Sequence, residues 1–367
     1  MRVALDYRPA ISFPHSGIGR QTLALEGAIA ALPGVELQLF STAPADHPLR
    51  QRARCPDWPS PLQGVHRLPL RLRFEAGFLP RALREQRIDV HVSNFNMGLP
   101  LPPRPPGVRY VLQLHDLFQL THRNRHATSL RAMVYGVSDR LSIGYSVRVA
   151  DRIWTPSQFT ADEVARYFPA VRDKVRVLPN LVSDLADSVE SIDALGLPPR
   201  YWLAVGIREP RKNMPWFIEA WQAACRQCAA VPELVLVGAR EELPQEQRQL
   251  AGLHVVHGLS DAQLRALYQR AERLWQPAYA EGFGLPVVEA LGQGTPVAVA
   301  RGSALDEVAP PEAPRFDPRD GVALSRLMET LAQEAKGAGI ASKEWAARFA
   351  EAPYRANVAR LLEELRS

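Results

Sequence analysis

Two doubly wound α/β domains in one chain are the fold class this sequence predicts, and three observations predict it. Short apolar runs alternate with helical patterns through both halves, the signature of parallel sheets with crossover helices. The length, 367 residues, suits two domains that each bury a core. Between Ser183 and Arg200 the chain turns acidic, Ser-bearing and then Pro-rich, which reads as a linker. Two such domains place a cleft beyond the carboxyl ends of their strands, where ligands bind.

The elements follow in order. Arg2–Leu5 reads as a strand, and the loop Ser16-Gly17-Ile18-Gly19-Arg20 leads into a helix over Gln21–Leu32. Strands follow at Val35–Phe40, at the buried run Val108–Leu114 ending on His115-Asp116, and at Arg152–Thr155. Ser157 is an N-cap followed by acidic residues in the first helical turns. Val175–Leu178 closes the first half at Pro179-Asn180. In the second half, strands fall at Trp202–Val205, Leu234–Val237, His254–Val256, Arg273–Gln276 and Pro296–Ala300. Helices fall at Pro215–Cys228, Ala262–Ala271 and Pro286–Leu291, with helical patterns from Gly321 to an amphipathic Trp345–Leu365.

Composition excludes several classes. With 46% hydrophobic and 23% charged residues, disorder, a collagen-like fibre and a disulfide scaffold do not fit. Apolar runs stay too short for a membrane-spanning helix, and the N-terminus lacks the apolar core of a signal peptide. Three cysteines, Cys55, Cys225 and Cys228, suit a reducing compartment, so the expected location is the cytoplasm. Cys225-x-x-Cys228 lies within a helical pattern without a second pair, and reads as helix face, not zinc site.

Charge divides unevenly. Residues 1–180 hold 24 basic and 14 acidic side chains, and residues 181–367 hold 20 and 25. The first half therefore faces something anionic: a phospholipid surface, a phosphorylated substrate or nucleic acid. The 40 Arg against four Lys reflect a GC-rich coding bias, which does not explain the difference in sign.

The sharpest motif is Glu281-Gly282-Phe283-Gly284-Leu285-Pro286-Val287-Val288-Glu289. A strand ends before it, and Pro286 stands where a helix begins. Backbone amides from Gly282 to Leu285 then point outward at a helix N-terminus, suited to phosphate or sugar oxygens. Glu281 and Glu289 reach different parts of one ligand. Gly206-Ile207-Arg208-Glu209-Pro210-Arg211-Lys212-Asn213 follows the first strand of the same half, and Arg211 with Lys212 suits a diphosphate. In the first half, Gly17 and Gly19 open a helix and allow close backbone approach to the same phosphates. His115 ends a buried strand, where a ligand-facing residue belongs.

In combination these motifs resemble the family 4 retaining glycosyltransferases of GT-B fold, over nearly the whole chain. The resemblance takes in the Gly17–Arg20 loop, His115-Asp116, Ala150–Ser157, Val177–Asn180, Pro210–Asn213 and His257-Gly258-Leu259-Ser260-Asp261. It continues through Glu281–Glu289, Gly294–Val297 and Ser303–Val308. Departures are Leu181, Ala278, Gly292-Gln293, Asp306 and Pro310, and they bear on loop geometry.

The resemblance implies two facing Rossmann-like domains, with a terminal helix crossing back to the first. The boundaries it suggests are 1–182 plus about 348–367, and 183–347. Glu281 and the Phe283–Leu285 amides would hold the donor hexose, and Glu289 the ribose. Arg211 and Lys212, with Arg208, would meet the diphosphate, approached by Gly17 and Gly19. His115 would touch the transferred sugar, and Gly258 and Leu259 lie against the base. No Asp-x-Asp occurs, so no metal or other cofactor is expected. Leaving-group charge falls to cations and helix amides, and the family is thought to react on one face of the sugar. Glu281 is accordingly assigned to positioning, not covalent attack.

The acceptor side rests on Arg67, Arg71 and Arg73, interleaved with apolar residues through Phe74, and on Arg123 and Arg125. One reading is a patch for anionic lipid and a lipid-linked or oligosaccharide acceptor; the other is an alternating strand followed by an amphipathic helix. Within the family the layout most resembles mannosyltransferases of exopolysaccharide and O-antigen assembly. GDP-mannose is the implied donor, with UDP- and dTDP-sugars close behind. The expected enzyme sits on the inner face of the plasma membrane. A nucleic-acid binder would leave the cleft motifs unexplained, and a non-catalytic scaffold would leave four intact charged residues without a purpose.

Overall fold

The computed structural model describes residues 1–58, 68–121, 130–182, 188–334, 336 and 339–366. It divides into two units, Met1–Leu181 with Ala352–Ser367, and Val182–Glu351.

The first unit is built on six parallel strands: β1 Arg2–Asp6, β2 Glu36–Phe40, β3 Val90–Ser93, β4 Arg109–Gln113, β5 Arg152–Thr155 and β6 Val175–Val177. Their order is β2-β1-β3-β4-β5-β6. The chain leaves β1 for one side and then returns to its other side, so the topological switch point lies between β1 and β3. The four residues of β3 are all buried, as a strand covered on both faces requires.

The helix over Gly17–Ala30 begins earlier than the sequence pattern suggests, because the Ser16 side chain caps it by accepting from the Gly19 amide at 3.0 Å. A Cβ at Gly19 would run into the Phe13 carbonyl oxygen, so only glycine lets the turn fold back this tightly. The C-terminal helix, Glu351–Glu363, completes this unit. Its Tyr354, Val358, Leu361 and Leu362 share one core cluster with Val3, Leu5, Leu25, Ile29 and Val92.

A buried ion cluster sits at the end of β1. Arg8 bonds Asp6 through Nε and Nη2, the latter at 2.6 Å, and Glu75 through Nη1 at 3.1 Å. All three side chains are essentially inaccessible, and the guanidinium lies 4.4 Å from the Phe74 ring centroid. Burial raises the Glu75 carboxyl above the usual carboxylate range, against the pull of Arg8.

The second unit repeats the architecture with β7 Tyr201–Val205, β8 Glu233–Val237, β9 Leu253–Val256, β10 Arg273–Gln276, β11 Val297–Ala300 and β12 Arg315–Phe316. Their order is β12-β11-β10-β7-β8-β9, all parallel, with the switch point between β7 and β10. Trp275 anchors the core, with Trp202, Phe217 and Phe316 ring centroids 5.0, 5.8 and 5.9 Å away. Ile192, inside the stretch read as linker, is buried in this core, and Asp193–Leu195 forms a 3-10 turn.

The segment read as an alternating strand is helical. Leu68–Arg73 is an α-helix that continues through a π turn, Phe74–Phe78, into the helix Leu79–Glu85. The extra residue of the π turn brings Glu75 inward to Arg8.

Candidate active site

In the second unit the predicted residues converge at the switch point. A short 3-10 turn, Pro210–Lys212, follows β7, and the Glu281 loop follows β10, its neighbour in the sheet. Glu281 Oε1 accepts from Lys212 Nζ at 2.5 Å, and Oε2 pairs with Arg211 Nη1 at 2.7 Å. Arg211 is held further by Glu209 at 2.6 Å and by the Ala280 carbonyl at 3.0 Å. Burial alone would raise the Glu281 carboxyl, but Lys212 and Arg211 outweigh it and hold it below the usual carboxylate range. Glu281 is therefore ionised at neutral pH, and the two cations are fixed before any ligand arrives.

The helix Leu285–Gly292 starts directly beside this cluster. Gly284 takes a left-handed conformation at φ 103°, and a Cβ there would lie 2.6 Å from Leu305 Cδ2. Among the described residues, nothing accepts from the amides of Phe283, Gly284 and Leu285. The Phe283 ring itself is buried and meets Phe349 edge-on, so its contribution to a ligand is backbone. Glu289, one turn into the helix, is buried and accepts from the Tyr268 hydroxyl at 2.9 Å. It borders a cavity of 330 Å³ whose lining includes Gln293 and Lys343. Arg208 is exposed, Gly258 is left-handed at φ 67°, and the half-buried Leu259 side chain packs in part on the core.

The first unit has its own polar cluster. His115, two residues past β4, bonds Asn94 Oδ1 through Nε2 at 2.8 Å, and its amide donates to Asn96 Oδ1 at 2.7 Å. Asn94 Nδ2 donates to Thr22 Oγ1 at 2.8 Å, and Thr22 donates on to the Ile18 carbonyl at 2.9 Å. With Asn94 oriented in this way, His115 carries its proton on Nε2 and a lone pair on Nδ1. Burial lowers its pKa to about 4, so the ring is neutral at physiological pH. Gly17 and Gly19 lie in the first turn of the helix in this relay, and the Gly19 amide is already committed to Ser16.

The acceptor-side assignments fare differently. Arg67, Arg123 and Arg125 lie outside the described residues. Arg71 does not face an acceptor or a membrane: it is buried, bonding Asp139 at 2.7 Å, Ser138 at 2.8 Å and Ser142 at 3.2 Å. Arg73 is exposed, and stacks 4.2 Å from the Trp58 ring centroid. Phe74 and Leu79 are fully buried, while Leu72 beside Arg73 stays exposed, so part of this stretch is core and part is surface.

Three residues absent from the sequence reading belong to these clusters. Gln276, the last residue of β10, is fully buried and donates to Glu281 Oε1 at 2.9 Å. Asn94 and Asn96 follow β3 across the switch point. The available signal was polarity at strand ends: a Gln closing an apolar strand, and Ser93-Asn94-Phe95-Asn96 after another.

Two six-stranded parallel sheets in these orders define a GT-B glycosyltransferase fold, and solved structures agree. Sucrose-phosphate synthase from Thermosynechococcus elongatus is similar with a TM-score of 0.71 at 18% identity, covering 100% of this chain and 99% of its own. HepE of Anabaena, solved with UDP-glucose, gives 0.67 at 15% identity, covering 99% of each chain. Residues 15–184 match the model described as Glycosyltransferase Family 4, and residues 199–334 match Glycosyl transferases group 1. The chain belongs to the family 4 glycosyltransferases. O-antigen chain mannosyltransferase B of Escherichia coli is 28% identical over 360 residues, covering 90% of this chain and 91% of that protein.

Proposed function

We propose that this glycosyltransferase transfers mannose from GDP-mannose, with retention and without a metal, to a lipid-linked saccharide in the assembly of a bacterial surface polysaccharide. The observation that carries the reading is the Arg211–Lys212–Glu281 cluster beside the open amides of Phe283 to Leu285. A sugar nucleotide presents a diphosphate next to a hexose, and here cations and amides stand next to an ionised carboxylate. Because Glu281 already fixes both cations, the site meets leaving-group charge with little reorganisation. The choice of mannose is supported by the similarity to a relative named as an O-antigen chain mannosyltransferase.

In this reading Glu281 holds hexose hydroxyls. Its negative charge is shared by Lys212, Arg211 and Gln276, which makes it a poor nucleophile. The bond from C1 to the diphosphate oxygen breaks, and a bond from C1 to the acceptor oxygen forms on the same face. The acceptor proton passes to the departing diphosphate. Glu289 binds the ribose, and neutral His115 contacts the transferred sugar.

The test is calorimetry with GDP, UDP and dTDP and their sugar conjugates, followed by transfer to a lipid-linked acceptor and NMR of the product anomer. Binding restricted to GDP and GDP-mannose, weakened in Glu289→Ala, with an α-linked product and turnover lost in Lys212→Ala, is the expected result. Preference for UDP or dTDP conjugates overturns the donor, and an inverted anomer overturns the mechanism.

A further inference from the structure

Among the described residues, ten large apolar side chains are exposed, and four of them lie on two helices of the first unit. Met133, Val137 and Leu141 are 59%, 52% and 70% exposed, and recur every fourth residue along the helix Leu130–Val149. At that spacing they form one stripe on one face. Leu72, 39% exposed, comes from the helix Leu68–Arg73, which Arg71 ties to the longer helix through Ser138, Asp139 and Ser142. Scattered apolar exposure is ordinary; this concentration on two tethered helices is not.

The charge around the stripe selects its partner. Among the described residues of these two helices, the exposed charged ones are Arg73, Arg140 and Arg148, and none is acidic. The one carboxylate, Asp139, is spent on Arg71. Arg140 precedes Leu141 and falls on the same face as Met133 and Val137. The first half as a whole carries a net positive charge, 24 basic against 14 acidic residues over 1–180. Apolar side chains that enter acyl chains, with arginines on the same helices to meet phosphate headgroups, are what an anionic bilayer surface requires. No described helix is long and apolar enough to cross a membrane, so attachment at this face would be interfacial.

We propose that the exposed face of the Leu130–Val149 helix, with Leu72 and Arg73 beside it, docks the first unit on an anionic phospholipid surface. The inference extends the lipid-linked acceptor of the proposed function, but its test needs neither donor nor acceptor. Flotation of the full chain is measured with vesicles of 30% phosphatidylglycerol in phosphatidylcholine, and with phosphatidylcholine alone. The wild type partitions onto the anionic vesicles, and partitioning weakens as salt rises. Val137→Glu with Leu141→Glu lowers it at least tenfold. Val322→Glu with Ile340→Glu, at equally exposed positions of the second unit, leaves it within twofold. Unchanged thermal midpoints establish that both variants fold.

Equal binding by the Val137/Leu141 variant, or no binding by the wild type, overturns the proposal. So does a wild-type dimer in light scattering that this variant converts to monomer, which would make the face a contact between copies. Nucleotide binding measured on the same preparations stays intact if only the docking inference fails. Loss of all nucleotide binding in the wild type would instead count against the donor reading.

Discussion

Replacing Arg8 by Met removes a buried charge while keeping most of the side-chain volume. The guanidinium makes three contacts with Asp6, at 2.6 to 3.1 Å, and one with Glu75, and none of these side chains is more than 3% exposed. Without it two buried carboxylates face each other with no cation between them. Breaking a buried pair in this way costs about 3–5 kcal/mol. In a unit of this size each kcal/mol moves the melting point by about 2–4 °C, so the first-unit transition should fall by about 6–20 °C.

The second unit contains no part of this cluster, and its transition serves as the internal reference. The loss should also depend on pH. The Glu75 carboxyl is already raised in the folded state, and losing Arg8 raises it further. A folded-state pKa above the unfolded value means that the native state binds the proton more tightly. Stability then falls as pH rises through the folded pKa, so the variant's deficit is larger at pH 7 than at pH 5. Differential scanning calorimetry at both values is the assay. A first-unit shift below about 3 °C, or a larger deficit at pH 5, would refute the reasoning. Replacing Asp6, Arg8 and Glu75 together by Leu, Met and Leu should recover most of the stability, because no unpaired charge remains.

Three further outcomes are expected. Glu281→Gln leaves Arg211 and Lys212 without the carboxylate that now shares their charge, so free nucleoside diphosphate should bind as tightly as before or more tightly. Turnover should nonetheless drop about 10²–10³-fold, as when one preorganised group is removed from a reacting centre, and rapid-mix kinetics beside calorimetry would show the split. Gln276→Leu removes one of the donors that orient Glu281. It should raise the dissociation constant of the sugar nucleotide several-fold while leaving that of the free diphosphate within twofold. His115 titrates near 4 when folded against an ordinary value of 6.5, so it remains neutral in the native state. The unfolded chain takes up the proton first as pH falls, and stability is lost below about 6.5. The cost by pH 5 is about 2 kcal/mol, and His115→Gln should flatten that part of the first-unit profile.

Regular elements were legible wherever periodicity was clean. Arg152–Thr155 and Arg273–Gln276 fall where the pattern puts them, because an apolar run between turn residues has few alternatives as a strand. The strand Val90–Ser93 was not found: His91 and Ser93 break the apolar run, although both are fully buried. The Arg67–Phe74 stretch misled because cations alternating with leucines look alike in an exposed strand and in a helix that buries one arginine. Only the position of Asp139, 68 residues away, decides between them. The candidate site was half legible. Motif residues could be placed at strand ends, but their pairing could not, since Lys212 and Glu281 meet across 69 residues. Gln276, Asn94 and Asn96 escaped because one amide side chain carries no pattern. Their roles exist only through the partner that the sheet order supplies.

The helix Glu351–Glu363 has a consequence for the order in which the chain can fold during synthesis. Residues 182–351 emerge as an uninterrupted block and hold every strand of their own sheet. The first unit emerges earlier, yet Tyr354, Val358, Leu361 and Leu362 are still missing from its core at that point. On the ribosome its six strands therefore wait with an apolar face uncovered while the later unit is made, and they finish last. Closing that gap joins residues about 350 positions apart, the kind of long-range contact that slows folding most. A nascent chain arrested after residue 351 should accordingly hold a protease-resistant second unit and a protease-sensitive first one.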